Sequence, residues 1–187
     1  MRYILASKSP RRKELLSEII EAFDIITKDV DESLPTNIHP REGVEILAVR
    51  KGATVAKSVD ENCVVISSDT LVELGGIPLG KPENEEDAKK MLSSLSGKAH
   101  NVHTGVAVHY KGKVFSGVAT TAVYFKEISE KEIIDYVNSG DPMDKAGSYG
   151  IQSGGGKFVE KIDGDYDTVV GLSVKLTKKL IDEATYD

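Results

Sequence analysis

Four stretches of the chain combine residue types that could do chemistry together. The first is Ser7-Lys8-Ser9-Pro10-Arg11-Arg12, which follows the apolar run Tyr3 to Ala6 and opens a helical pattern. A strand end feeding a helix N-terminus offers free backbone N–H groups and the positive end of the helix dipole, and both favour phosphate. Cations are unfavourable at a helix N-terminus, so Arg11 and Arg12 there point to an anionic ligand. A solvated basic turn capped by Ser9 is the plainer alternative. The second is Lys51. With side chains spaced about 100° apart around a helix, Val44, Leu47, Ala48 and Val55 share one apolar stripe and Lys51 falls near its middle. Either its ammonium enters an anion pocket, or its stem packs while the head reaches solvent. Met would pack well at this position, so Lys51→Met is expected to keep or raise stability.

The third is Ser67-Ser68-Asp69-Thr70, placed at the carboxyl end of the strongest apolar run, Cys63 to Ser67. Open α/β sheets bind ligands beyond the carboxyl ends of their strands, and Asp69 there could hold a metal or orient a water. Asp31-Glu32, in a loop, could add a carboxylate to the same metal. The fourth is the Gly-rich stretch from Asp141 to Gly156, which carries one amide side chain, Gln152. Glycines permit close approach to a ligand, and an amide offers both donors and acceptors for the edge of a nucleobase. A surface loop is the alternative reading.

These residues need elements to hold them. The chain alternates short apolar runs with helical patterns, which predicts an α/β fold. Strands are expected at Tyr3 to Ala6, Phe23 to Thr27, Cys63 to Ser67, Asn101 to Tyr110, Val114 to Phe125 and Phe158 to Ile162. Lys111-Gly112-Lys113 reads as a hairpin turn. Helices are expected after Ser9-Pro10, from Pro40 to Ser58, from Asn84 to about Gly97, from Ser129 to Asn138 and from Leu172 to Ala184. Ser129 with Glu132 forms a capping box.

Composition narrows the function. The 187 residues carry 24 Lys and Arg against 30 Asp and Glu, for a net charge of −6. That balance disfavours general nucleic-acid binding but allows a local basic pocket. Cys63 is the single cysteine, so no intrachain disulfide can form, and a reducing cytoplasmic setting is expected. No apolar run approaches the roughly 20 residues of a membrane span. Gly75 to Lys81 imitates a phosphate-binding P-loop, but Pro82 stands where the Mg²⁺-binding hydroxyl belongs. Asp163, Asp165 and Asp167 alternate like a calcium loop, yet Thr168 and Val174 occupy the positions of its Gly and bidentate Glu. His39, His100, His103 and His109 lack zinc spacing and are expected to be surface or hydrogen-bonded residues.

Taken together, the chain resembles the Maf family of nucleoside triphosphate pyrophosphatases. The matching motifs are Ser7 to Arg12, Val30-Asp31-Glu32, Ser68-Asp69-Thr70, Leu79-Gly80-Lys81-Pro82, Val102-His103-Thr104-Gly105, Asp144 to Gln152 and Gly164-Asp165-Tyr166. They run in family order across nearly the whole chain. The resemblance implies one domain over 1–187, with an elongated mixed β-sheet, flanking helices and two lobes around a central cleft, similar to inosine triphosphate pyrophosphatases. It implies hydrolysis of nucleoside triphosphates, chiefly dTTP and UTP and extending to modified pyrimidine nucleotides, to the monophosphate and pyrophosphate. It also implies a divalent cation, Mg²⁺ or Mn²⁺, and a role in cleaning the nucleotide pool.

Carried over by position, Asp69 is the catalytic acid–base residue, and Arg12, Thr70 and Gln152 govern substrate choice. Ser7, Ser9, Arg12, Lys51 and Lys81 are the phosphate-binding candidates, with Glu32 and Asp69 as metal ligands. The expected partner is a small-molecule nucleotide, without membrane or general nucleic-acid binding, and a homodimer is allowed. Three residues depart from the pattern: Ser153 for an expected Gly, Ser173 for a frequent Pro and Ser68 for a common Ala. A non-catalytic nucleotide- or nucleic-acid-binding regulator of cell division is the alternative function. A nucleotidyltransferase also has a basic loop after its first strand, but such loops usually contain Gly, and Leu5 to Leu15 contains none.

Overall fold

The computed structural model describes residues 1–186. It is a mixed α/β protein built on a seven-stranded sheet. In chain order the strands are β1 (Arg2–Leu5), β2 (Asp24–Ile25), β3 (Cys63–Leu74), β4 (Ile77–Leu79), β5 (Ala99–Tyr110), β6 (Lys113–Phe125) and β7 (Val159–Asp163). The helices are α1 (Pro10–Ser17), α2 (Pro40–Ala56), α3 (Glu85–Leu95), α4 (Glu130–Asn138), α5 (Tyr166–Val170) and α6 (Val174–Thr185). The strand order is β2-β1-β3-β5-β6-β7, with β4 paired to β3.

β1 lies parallel to both β2 and β3, with Ile4 opposite Val65 and Leu5 opposite Ile66. Parallel strands covered on both faces are apolar throughout rather than alternating, and Ile4, Leu5, Val64, Val65 and Ile66 are all buried. This explains why the runs Tyr3 to Ala6 and Cys63 to Ile66 were legible as strands. Lys111 and Gly112 join β5 to β6 with φ of 47° and 72°, the backbone of a type I′ turn.

The largest departure from expectation concerns β3. It does not end at Ser67 but runs twelve residues, to Leu74. Asp69 therefore lies inside a strand, not at a strand exit. Polar side chains interrupt the apolar run without interrupting the backbone ladder. β4, α5 and three 3-10 turns (Asp141–Asp144, Ala146–Ser148 and Gly154–Phe158) were also not anticipated. β2 is shorter than expected, at two residues, and Glu18 and Ile19 follow α1 as a turn.

By its contacts the chain divides into two compact units, each discontinuous in sequence. The first comprises Met1–Thr70, Thr104–Ala119 and the chain from Gly171 onward; the second comprises Leu71–His103 and Thr120–Val170. In the first, Ile4, Ala6, Val55, Cys63 and Val65 form a core under α2. In the second, Val72, Leu92, Leu95, Val102, Phe125, Ile133, Tyr136, Tyr149 and Phe158 pack together. Phe125 meets Tyr149, and Tyr136 meets Phe158, edge to face, the geometry that aromatic quadrupoles favour. No helix among the described residues is long and apolar enough to cross a membrane.

Candidate active site

In the first unit, β1 delivers the chain to Ser7, and Ser9 caps α1 by accepting from the Arg12 backbone N–H at 3.4 Å. Pro10 takes the first helical position, where a missing N–H costs nothing. The Ser9 N–H donates to Ser7 Oγ at 3.2 Å. In these bonds both hydroxyls accept, so each retains its hydrogen as a donor.

The Arg12 side chain crosses to distant parts of the chain. Its Nε donates to the Gly171 carbonyl at 2.9 Å and its Nη2 to Thr70 Oγ1 at 3.3 Å. Thr70 Oγ1 lies 2.9 Å from Thr104 Oγ1. Ser68 also donates to the Gly171 carbonyl, at 3.0 Å. One backbone oxygen thus gathers Arg12 and Ser68, and Gly171 holds it there at a φ of 135°, which side chains other than hydrogen disfavour. Burial lowers the Arg12 pKa; Asp69 and Glu32 oppose this, Arg11 adds to it, and the net shift is downward.

Lys51 reaches α2's inner face because α2 lies hard against β5. A Cβ at Gly105 would strike the Val44 carbonyl. The Lys51 ammonium sits 2.6 Å from Asp69 Oδ1 and 2.8 Å from Glu32 Oε1. The Lys51 head is thus paired with two carboxylates rather than free in solvent. The loop bearing Glu32 is held from α2 as well. Arg50 Nη1 donates to the Asp31 carbonyl at 2.6 Å and to the Ser33 carbonyl at 2.7 Å, one on each side of Glu32. Asp31 itself turns back onto Ser33; those hydrogen bonds lower its pKa.

Among the described residues, no group of three or more His, Cys, Asp and Glu is placed to hold a metal. Glu32 and Asp69 are nevertheless two carboxylates converging on one cation. Mg²⁺ typically takes one or two carboxylates and completes its shell with waters and phosphate oxygens, so this pair suits such an ion.

Lys81 and Gln152 belong to the second unit. Lys81 is exposed, and the Gly147 N–H donates to the carbonyl of neighbouring Gly80 at 3.0 Å. Gln152 is exposed too. Its loop is fixed from below: Tyr136 donates to Asp141 Oδ2 at 2.6 Å, Ser153 Oγ donates to the same oxygen at 2.6 Å, and the Gly150 N–H donates to Tyr136 at 3.1 Å. Burial works to raise the Asp141 pKa, but its bonds to Ser153, Tyr136 and Lys145 outweigh it, and the net shift is downward.

His100 lies under the same loop with Nε2 2.7 Å from the Tyr149 hydroxyl, and burial lowers its pKa to about 4. His103 lies 2.6 Å from Glu73 and 2.8 Å from Thr120. Both histidines therefore have the hydrogen-bonded role expected of them, as does His109 against the Val49 carbonyl.

Sequence reasoning brought Ser7, Ser9, Arg12, Glu32, Lys51, Asp69 and Thr70 forward as candidates, and the first unit places them in one connected neighbourhood. It missed the Gly171 carbonyl, Thr104, Arg50 and Asp141. Asp141 and Thr104 lie inside stretches already singled out, and Arg50 is next to Lys51, but no local pattern assigned them these partners. The carbonyl of Gly171 leaves no trace in side-chain chemistry.

The Maf-like protein family profile matches residues 2–184. A dTTP/UTP pyrophosphatase of Alkaliphilus metalliredigens is 47% identical over 175 residues, 92% of this chain and 91% of that protein. A dTTP/UTP pyrophosphatase of Thermococcus kodakarensis is 46% identical over 177 residues, 95% of this chain and 94% of that protein. Another, of Bdellovibrio bacteriovorus, is 42% identical over 184 residues, covering 95% and 96%. Among solved structures, the Staphylococcus aureus Ham1 protein shares the fold at a TM-score of 0.53 and 18% identity, with 98% of this chain and 100% of that one covered.

Proposed function

The chain belongs to the Maf family, and from that premise we propose that it hydrolyses nucleoside triphosphates to the nucleoside monophosphate and pyrophosphate, with dTTP and UTP preferred. The names carried by its relatives support the substrate. The observation that carries the chemistry is the Lys51 ammonium between Asp69 and Glu32, close to the phosphate-suited turn at Ser7 to Arg12. Carboxylates and cations so interleaved suit a highly anionic substrate and a hydrolytic water.

In this reaction a water oxygen bonds to the α-phosphorus. The bond from that phosphorus to the α,β-bridging oxygen breaks, and pyrophosphate leaves with the bonding pair. Asp69 orients the water and takes its proton. Carboxylates are weak bases near neutrality, so positioning is the larger part of its work. Arg12, Lys51 and Lys81 donate to phosphate oxygens and stabilise the charge that grows on the leaving group. The hydrogens of Ser7 and Ser9 and the backbone N–H of Arg11 add neutral donors. A divalent cation, Mg²⁺ or Mn²⁺, held by Glu32 and Asp69 would supply further positive charge and acidify a bound water.

Gln152 reads the base. Uracil and thymine share an O4 acceptor and an N3–H donor, and one amide meets both. Arg12 and Thr70, bonded to each other, act as one substrate-selecting unit. Uracil and thymine differ only by the C5 methyl, worth about 1–3 kcal/mol in an apolar site, so both nucleotides are substrates, and modified pyrimidines with the same edge follow. A reducing cytoplasm suits the lone Cys63, and removal of unwanted nucleotides suits the reaction.

The test is a panel of dTTP, UTP, CTP, ATP and GTP with Mg²⁺, assayed for pyrophosphate and orthophosphate separately. Pyrophosphate release, fastest with dTTP and UTP, is expected. Release of orthophosphate alone, or a preference for ATP or GTP, would overturn the proposal.

A further inference from the structure

The segment carrying Gln152 is held by side chains that contribute no obvious chemistry of their own. Asp141 is the hub. Its Oδ2 accepts from Ser153 Oγ and from the Tyr136 hydroxyl, each at 2.6 Å. Its Oδ1 faces Lys145 Nζ at 3.0 Å, and the same ammonium donates to the Asp141 carbonyl at 2.6 Å. The loop closes on this hub from both sides of Gln152. Before it, the Gly150 N–H donates to the Tyr136 hydroxyl at 3.1 Å. After it, the Ser153 N–H donates to the Gly150 carbonyl at 3.2 Å. Gly150 packs so tightly that a Cβ there would strike Ser153 Oγ and lie 2.6 Å from Lys145 Cε. Gln152 is exposed, so where it starts from is set by the loop backbone between Gly150 and Ser153 rather than by packing of its own side chain.

We infer that Asp141, acting through Ser153, is the positioning residue that aims Gln152 and so sets discrimination between nucleobases. The inference rests on the base-reading role proposed for Gln152. A hydrogen-bonded site rejects a mismatched edge because its polar groups are left unpaired, and that penalty operates only while the reading group is held still. With the clamp removed, the backbone that carries Gln152 can shift against the base so that either edge is met, and the rejection is lost before catalysis is.

The experiment compares kcat/KM for UTP and CTP in the wild type, Ser153→Ala, Ser153→Thr, Asp141→Asn and Gln152→Ala, with Tm measured for each. A hydrogen bond to a charged group is worth a factor of about ten or more. The UTP-to-CTP ratio should therefore fall about tenfold in Ser153→Ala and Asp141→Asn, chiefly through better use of CTP, with kcat for UTP changing about twofold or less. Ser153→Thr, which keeps the hydroxyl, should restore the ratio. A role in stability alone would lower Tm and leave the ratio in place. If Gln152→Ala collapses the ratio while Ser153→Ala and Asp141→Asn do not, the positioning role is wrong and the reading role stands. If the ratio is unmoved in all the variants, both are wrong.

Discussion

Lys51→Met removes a cation that the structure places 2.6 Å from Asp69 and 2.8 Å from Glu32. The apolar stripe on α2 suggested that Met would be welcome at this position; the ion pairs reverse that expectation. The two contacts do not weigh equally. Glu32 is 61% exposed, whereas the Lys51 and Asp69 side chains are 18% and 13% exposed. The Glu32 contact is largely screened and is worth about 0–1 kcal/mol. For Asp69, at an effective dielectric of about 20, the gross attraction at this separation is about 6 kcal/mol. Desolvation of both ions offsets about half of that, and removing one partner leaves a partly buried carboxylate uncompensated, so a net loss of about 3 kcal/mol is expected. For a chain of this size that lowers Tm by about 6–12 °C. The measurement is urea and thermal unfolding of the wild type, Lys51→Met, Asp69→Asn and the double variant. Because Met at 51 no longer leaves a charge stranded once Asp69 is Asn, the double variant should be more stable than Lys51→Met alone. A Lys51→Met protein as stable as the wild type, or a double variant showing no recovery, would refute the reasoning.

Three further outcomes are expected. Asp69→Asn should lower kcat by about 10²–10⁴-fold, the usual cost of losing a positioned base, with circular dichroism unchanged; a variant keeping a third of the wild-type rate would exclude Asp69 as the base. His100 is held neutral by burial with a pKa of about 4, below the value of about 6.5 that it regains on unfolding. The unfolded chain thus binds the extra proton first, and stability present above about pH 6.5 falls as pH drops toward 4, by up to about 3 kcal/mol; His100→Phe should flatten that part of the pH–stability curve, and an unchanged slope would count against it. Gly171→Ala forces a side chain onto a φ of 135° and should cost about 1–3 kcal/mol. It should also raise KM, because the carbonyl that Arg12 and Ser68 share will move; unaltered unfolding and KM together would show that the carbonyl is dispensable.

Local chemistry made much of the fold legible. The buried runs Tyr3 to Ala6 and Cys63 to Ile66 became parallel strands because side chains covered on both faces must be apolar. Ser9-Pro10, Asn84 and Ser129 with Glu132 mark helix starts, since a side-chain oxygen there satisfies an N–H that the helix leaves open, and all three cap as expected. Lys51 could be singled out as anomalous, because a cation in an apolar stripe needs a reason. What that reason was could not be read locally. The carboxylates that answer it lie 18 and 19 positions away, on β3 and in the loop after β2, and only the packing of α2 over β5 brings them together. The same limit hid the middle of β3: a ladder is made by backbone groups common to every residue, so the polar Ser67 to Thr70 looked like an end when it was a centre. It also hid where the two units divide, because three of the four boundaries fall inside β3, β5 and β6 and only the fourth lies in a connection, between α5 and α6. The Gly171 carbonyl and the Asp141 hub are long-range geometry as well. One is a backbone oxygen aimed by a single dihedral angle, the other a carboxylate whose role depends on where Ser153 returns to meet it. Residue types set which groups could bind phosphate, carry a proton or read a base. Tertiary structure decided which of them face one another, because a hydrogen bond of 2.6 Å is a property of two positions in space and not of either residue alone.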